Sequence, residues 1–302
     1  MEELKITIGI PVYNNEDVIA SRIENILSQT YQNFCIIISD NNSTDKTKKI
    51  CDDLSKLDER ITFISHEKNR GAYWNFNFLL QKAKTKYFVV AASDDIWSKN
   101  FLEKNIDILE KNKEVVGSIS ECSLFNRKNS SSDKIEINVI KNSKEYEYVH
   151  PIEGKLEHKI KFCLKYNMGG QIYSIFRTKD IQSSNFYKES GNHGMWQQDL
   201  ATILTILKKG NLHVDLKSFF YKEVDIRSHS IIKYMKIMNY STRDIIFAKI
   251  IFSAWFLREF GRRSFLQNFV SLMKYNFSWG KTIFGETLRM SKRSILGQNR
   301  YW

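Results

Sequence analysis

Over its first 92 residues the chain alternates four short apolar runs with three stretches of helical periodicity. The runs lie at 5–10, 34–39, 61–65 and 87–92, and the second, FCIIIS, is almost continuously apolar, as a strand buried on both faces must be. Between the first two, Val18, Ile19, Ile23, Ile26 and Leu27 recur at helical spacing within 17–27, with Asn14 or Asn15 as caps. DNNSTDKT then supplies turn and cap residues ahead of a helix at 46–57. A third helix is expected at 71–83, with Ala72, Phe76, Leu79, Leu80 and Ala83 inward. Parallel strands need crossover connections, so the order βαβαβαβ predicts an α/β fold: a single, mostly parallel sheet flanked by helices.

Two of these runs end in polar groups. ITIGIPVYNNE closes the first and FVVAASDDIW the fourth, and the ends of such strands are where an open α/β sheet builds a ligand site. Adjacent carboxylates such as Asp94 and Asp95 repel one another unless a cation or hydrogen bonds offset the charge. A divalent metal holding phosphate is therefore the chemistry this pair suggests, with a surface or capping pair as the alternative.

At 302 residues and 42% hydrophobic, the chain can bury a full core, as one large domain or one domain with a smaller appendage. Its 20 Phe, 14 Tyr and 6 Trp exclude a wholly disordered protein. Cys35, Cys51, Cys122 and Cys163 show neither metal-ligand spacing nor a disulfide framework, so reduced core thiols of a cytosolic protein are expected. The start, MEELKITIGI, lacks the basic segment and long apolar stretch of a secretory signal.

Beyond Asp95 the pattern loosens. Helices are expected at 101–110 and 199–207, strands at 115–125 and in QIYSIFRT, and an exposed hairpin or mobile loop at 126–144. The net charge is +12, and residues 222–302, with 15 Lys and Arg against 5 Asp and Glu, carry +10 of it. That favours an anionic partner. The stretch 245–275 is helical in length and rich in Ile, Phe and Trp, yet Lys249 and Arg258 interrupt it before about 20 apolar residues accumulate, too soon for a spanning helix. Two readings remain: an interfacial helix whose flanking Arg262, Arg263 and Lys274 meet an anionic membrane surface, or an ordinary helical subdomain packed on the sheet.

IPVYNNE at 10–16, SDNNSTDKT at 39–47, NRGA at 69–72 and ASDDIW at 92–97 together resemble the large family-2 inverting glycosyltransferases of the GT-A fold, over roughly the first 110 residues. The resemblance implies that Pro11, Val12 and Tyr13 line a nucleobase pocket, that Glu16 contacts the nucleoside, and that Asp40 recognises base N–H groups. It places Asn69, Arg70 and Gly71 along the nucleotide, Gly71 for close backbone approach and Arg70 for phosphate. Helix capping by Asp40 and Ser43, and a plain exposed loop cation at Arg70, stand as the alternatives. Asp94 then faces ribose or diphosphate and Asp95 binds Mn2+ or Mg2+. The family motif often reads Asp-x-Asp-Asp, and Ala92 stands here in place of its first carboxylate.

In the acceptor half the family presents an acidic pair at a helix start, one member being the general base. The matching stretch SGNHGMWQQDLATIL has Gln198-Asp199, which makes Asp199 the base, or else a capping aspartate. Trp196 is either a platform for a sugar ring or a core residue. Gly169 and Gly170 resemble the acceptor-side segment. In YKEVDIRSHS, Arg227 would pair with diphosphate and His229 would bind phosphate or add a metal ligand, unless both belong to a surface loop. The remaining histidines, His66, His150, His158, His193 and His213, have no spacing that makes a metal cluster.

The implied activity is metal-dependent, inverting transfer of a hexosyl or N-acetylhexosaminyl group from a nucleotide-diphosphate sugar, most often UDP-linked, to a hydroxyl of a saccharide or lipid-linked saccharide in bacterial surface polysaccharide synthesis. A catalytic domain at 1–221, with a donor half to about 110 and an acceptor half at 111–221, would precede a basic, aromatic, helical region at 222–302. The protein is then expected in the cytoplasm, peripheral on the inner face of the membrane. A nucleotidyltransferase acting on sugar phosphates is the alternative enzyme. A nucleic-acid-binding protein is the other alternative, but Lys and Arg alternate with long apolar segments, no nucleic-acid motif is present, and no nucleic acid is expected. The oligomeric state is left open.

Overall fold

The computed structural model describes residues 4–127, 137–140, 149–184, 197–223, 232, 235 and 241–295. The expected alternation is found: β1 (Ile6–Val12), α1 (Ile19–Leu27), β2 (Phe34–Asp40), α2 (Thr47–Leu57), β3 (Ile61–Ser65), α3 (Ala72–Lys82) and β4 (Tyr87–Val90). There follow β5 (Ile96–Trp97), α4 (Phe101–Lys111), β6 (Val115–Arg127), β7 (Ile137–Ile140), α5 (Leu156–Tyr166), a 3-10 turn (Met168–Tyr173), β8 (Ile175–Arg177) and α6 (Thr178–Gln182). The remaining elements are α7 (Gln198–Ile206), β9 (Asn211–Glu223), α8 (Thr242–Gln267) and α9 (Phe269–Ile295). Helix α8 is interrupted at Phe247 and Gly261.

All nine strands form one sheet in the order β3-β2-β1-β4-β8-β6-β9-β5, with β7 paired on β6. Strands β1 to β4 are mutually parallel, β8 runs antiparallel to β4 and β6, and β9 lies parallel to β6. Register places Val12 opposite Asp40 and Asp40 opposite Ser65, so the first three strands end level at one edge.

Alternation across the pleat divides the core. Ile6, Ile8, Ile10 and Val12 point into a cluster with α1, α2 and α4. Phe88 and Val90 point into the other, which also takes Leu200 and Leu204 of α7, Phe252 and Phe256 of α8, and Leu272 and Tyr275 of α9. The C-terminal helices therefore pack into the main core, covering apolar area at about 25 cal/mol per Å². Among the described residues, no helix is long and apolar enough to cross a membrane. The four cysteines are free, and burial pushes the Cys51, Cys122 and Cys163 thiols up to about 12.

Three local expectations change. Only Ile175–Arg177 of QIYSIFRT is strand, because Asn167 turns left-handed (φ 53°) and opens the 3-10 turn that consumes the first half. Helix α1 has no side-chain cap; the Asn15 carbonyl instead accepts from the Val18 and Ile19 amides at 3.1 and 3.0 Å. Strand β9, thirteen residues long, has no counterpart among the expected strands, since a register shift opposite Ser120 and Glu121 breaks its alternation. The expected hairpin after β6 is present where described, as β7 pairing with Leu124–Arg127.

Candidate active site

The loops after β1 and β2 are laced together. The Asn14 amide donates to Ser43 Oγ at 2.9 Å, the Thr44 amide to Asn14 Oδ1 at 2.9 Å, and the Asn15 amide to Thr47 Oγ1 at 2.7 Å. Glu16 joins this lacing, its carboxylate accepting from the Lys46 amide at 2.9 Å at the start of α2. Pro11 is half-buried, Val12 buried, and Tyr13 stands 45% exposed at the rim, where a flat ring can offer a face to a base. Asp40 is fully buried at the end of β2 and accepts from the Ser43 amide and Ser65 Oγ, each at 3.2 Å. Ser43 Oγ also donates to Asp40 Oδ1, at 2.5 Å, so the turn-capping role is realised geometrically and each carboxylate oxygen already takes two donors.

The same edge receives the loop after β3. Asn41 Nδ2 donates to Asn69 Oδ1 at 2.9 Å, the Arg70 amide to Asn41 Oδ1 at 3.0 Å, and the Gly71 amide to Asn69 Oδ1 at 2.8 Å. Gly71 has φ 87°, and nothing lies within 4 Å of where a side chain would begin. Its backbone conformation, rather than a close approach within the chain, requires glycine. The exposed Arg70 guanidinium lies 4.7 Å from the centre of the Trp74 ring.

Beyond β4, the acidic turn is held from beneath by Arg22, a buried arginine whose Nε donates to the Ala92 carbonyl at 3.0 Å and whose guanidinium lies 4.1 Å from the Trp97 ring centre. Asp94 is half-buried and Asp95 buried. Both oxygens of Asp95 lie near Lys222 Nζ, at 3.2 and 3.4 Å, and the Glu223 amide donates to it at 3.3 Å. Burial pushes the Asp95 carboxyl up, the Lys222 ammonium pulls it back, Asp94 pushes it up again and Arg22 opposes. A divalent ion asks for several oxygen or nitrogen ligands. Among the described residues, no group of three or more His, Cys, Asp and Glu is placed to hold one. Asp95 is instead engaged by an ammonium, so these residues do not form a closed metal site.

Asp199 sits in the first turn of α7, entered through Gln197 in a left-handed conformation (φ 74°). Tyr73, from α3, donates to Asp199 Oδ1 at 3.0 Å. Burial raises the Asp199 carboxyl above its usual range, partly offset by its own backbone amide and by Tyr73. A Cβ on Gly169 would lie 3.3 Å from Asp199 Oδ2, so this glycine makes room for the carboxylate. Gly170 and Gln198, the chain neighbours of Gly169 and Asp199, are buried as well. Tyr173, pushed up to about 12 by burial, lies within electrostatic reach of Lys222, Asp95, Asp199 and Asp94, and so joins the two carboxylate centres. On the far side, Tyr275 of α9 donates to Gln197 Oε1 at 2.6 Å.

Trp196, Arg227 and His229 lie outside the described residues. Sequence reasoning missed Tyr73, Arg22, Tyr173, Lys222 and Tyr275. Two of these adjoin quoted motifs, Tyr73 one position past NRGA and Lys222 inside YKEVDIRSHS; the others carry no local signal.

Residues 7–175 match the Glycosyl transferase family 2 model. TuaG of Bacillus subtilis, a protein named for teichuronic acid biosynthesis, is 30% identical over 210 residues, covering 68% of this chain and 73% of TuaG. WfgD of Escherichia coli, a UDP-Glc:alpha-D-GlcNAc-diphosphoundecaprenol beta-1,3-glucosyltransferase, is 34% identical over 113 residues, covering 37% of this chain and less than half, 44%, of WfgD. In fold, the chain is similar to S. aureus TarS 1-349 solved with UDP-GlcNAc, with TM-score 0.61 at 17% identity over 92% of this chain and 74% of the other. A mannosyltransferase from Pyrobaculum calidifontis, solved with GDP-Man and Mn2+, gives TM-score 0.58 at 12% identity, covering 98% of this chain and 81% of the other.

Proposed function

Because the chain belongs to glycosyl transferase family 2, we propose that it moves a sugar from a nucleotide-diphosphate donor, UDP-linked, onto a hydroxyl of a saccharide or lipid-linked saccharide in bacterial surface polysaccharide synthesis. The observation that carries this reading is the Tyr73–Asp199 hydrogen bond, which seats a carboxylate of raised proton affinity at the junction of donor and acceptor halves. A base with its pKa nearer neutrality accepts a proton more effectively at working pH. Asp199 takes the proton of the acceptor hydroxyl as its oxygen bonds to the anomeric carbon. The bond from that carbon to the diphosphate oxygen breaks on the opposite face, and the diphosphate leaves with the electron pair, inverting the centre.

On the donor side, Tyr13 is suited to a base, Arg70 to phosphate, and Asp94 to ribose or diphosphate, while Asp40 would meet base N–H groups in place of one of its serine donors. Mn2+ or Mg2+ at Asp95, with His229, is the cofactor reading of the acidic motif, and a divalent ion held there would stabilise charge on a departing diphosphate. Such an ion would have to displace the Lys222 ammonium from Asp95.

A lipid-linked acceptor is supported by WfgD, whose name specifies a diphosphoundecaprenol substrate, and by the outer face of the C-terminal helices. On α9, Phe269, Val270, Met273, Phe277, Phe284 and Leu288 form one exposed apolar stripe. Arg263 precedes it, and Lys274 and Lys281 flank it, the composition of an interfacial helix on anionic lipid. In this reading, residues 222–302 attach the 1–221 catalytic unit to the cytoplasmic face of the membrane.

The test is a screen of UDP-, GDP- and dTDP-sugars for thermal stabilisation, followed by transfer assays of Asp199→Asn. Asn cannot accept the proton, so donor stabilisation should persist while transfer falls by about 10²- to 10⁴-fold. Full transfer by Asp199→Asn overturns the assignment of the base. Nucleoside triphosphate use with pyrophosphate release would identify a nucleotidyltransferase instead.

A further inference from the structure

The backbone brings Lys222 to Asp95. Strand β5 pairs Ile96 with Tyr221 in antiparallel register, so the residue before one meets the residue after the other. Lys222 is held a second time, opposite Leu124 of β6. A sheet position fixed on both sides does not wander as a loop lysine would. Within the pair, the Asp95 side chain is 0% exposed and that of Lys222 is 19% exposed. The carboxylate is sealed, while the lysine side chain keeps partial exposure. Its Nζ also lies 4.9 Å from the centre of the Tyr173 ring, whose negative face favours a cation.

A buried carboxylate stripped of its partner is strongly unfavourable, so whatever removes Lys222 has to replace its charge and its hydrogen bonds together. Ala92 withholds the carboxylate that would help a metal do so. Arg22 meanwhile adds a second fixed cation beneath the turn. We propose that Lys222 is a donor-binding residue whose ammonium, seated on Asp95, supplies the positive charge that meets the donor diphosphate, so that donor binding does not require a divalent ion. The proposal rests on the nucleotide-sugar reading above. A lysine here acts as a point charge on phosphate oxygens, with no ligand shell to assemble.

The test uses the full chain and titration calorimetry with UDP, GDP and dTDP, each in EDTA and in Mn2+. For the nucleotide that binds, wild-type Kd should change less than about threefold between the two conditions. Lys222→Met should weaken binding in EDTA at least tenfold and regain most of it in Mn2+, because the emptied place on Asp95 can then take an ion. Lys222→Arg, which keeps the charge, should stay within about fivefold of wild type in EDTA. Thermal melting of Lys222→Met beside Asp95→Asn/Lys222→Met, which removes both charges, separates loss of the donor contact from loss of the fold. Wild-type binding that vanishes in EDTA, with Lys222→Met binding the Mn2+ nucleotide undiminished, overturns this inference alone. Failure of all three nucleotides to bind wild type overturns the nucleotide-sugar reading and this inference with it.

Discussion

Tyr73 donates a 3.0 Å hydrogen bond to Asp199 across 126 positions of sequence, joining the first turn of α3 to the first turn of α7. This bond favours the ionised carboxylate while burial disfavours it, and burial is the larger effect.

Replacing Tyr73 with Phe removes the hydroxyl and keeps the ring, so the Asp199 carboxyl should rise further. The base is active only when ionised, so the acidic limb of the pH–rate profile should move to higher pH. At any pH below that limb, the rate should fall about tenfold if the limb moves by about one on the pH scale. Above the limb, kcat should approach wild type. An acidic limb unmoved in Tyr73→Phe would show that the hydroxyl does not act on the base.

Gly169→Ala puts a methyl group 3.3 Å from Asp199 Oδ2 and 3.5 Å from its Cβ. The carboxylate must then give way by a few tenths of an ångström. Small displacements of reacting groups are expensive, so kcat should fall about tenfold with little change in donor Kd. The melting temperature should drop by only a few degrees, as for an overpacking cost of about 1 kcal/mol. Unchanged kcat would mean the carboxylate has more room than the structure gives it.

Phe277 and Phe284 are 68% and 66% exposed on the outer stripe of α9. Their joint replacement by Ser should leave the melting temperature within about 2 °C, since exposed side chains contribute little to folding. Sedimentation with vesicles containing anionic lipid should fall at least fivefold, and raised salt should weaken what remains. Equal sedimentation of both proteins would remove the membrane role from this face.

The fold of the first 92 residues was legible because its information is local. Strand, turn and helix signals succeed one another within short windows, and the laced loops around Asn14, Ser43 and Asn69 lie inside the quoted motifs. The place of Asp199 at a helix start was legible through the resemblance of its stretch to the family's acidic pair. The rest depends on pairing at a distance: Lys222 reaches Asp95 only through the register of β9 with β5, and β9 itself lacks clean alternation. Arg22 gave no sign, because a charged residue within an amphipathic helix reads as solvent-facing, whereas here it lies beneath the acidic turn. The glycine pair was read as approaching sugar; within the chain, Gly169 first makes space for the Asp199 carboxylate.

Helix α9 has two apolar sides. Met273 and Phe277 face outward, while Tyr275 and Trp279 are buried, with Tyr275 bonded to the residue two positions before Asp199. If the outward side rests on a bilayer, the helix becomes a gauge of depth: one helix diameter, about 10 Å, separates the lipid headgroups from the turn that carries Asp199. A sugar tethered to a lipid diphosphate would then need no long excursion to arrive, whereas a saccharide free in solution would gain nothing from that spacing. Trimming the chain before α9 would accordingly remove the Tyr275 support of Gln197 and part of the core together with the contact to the surface.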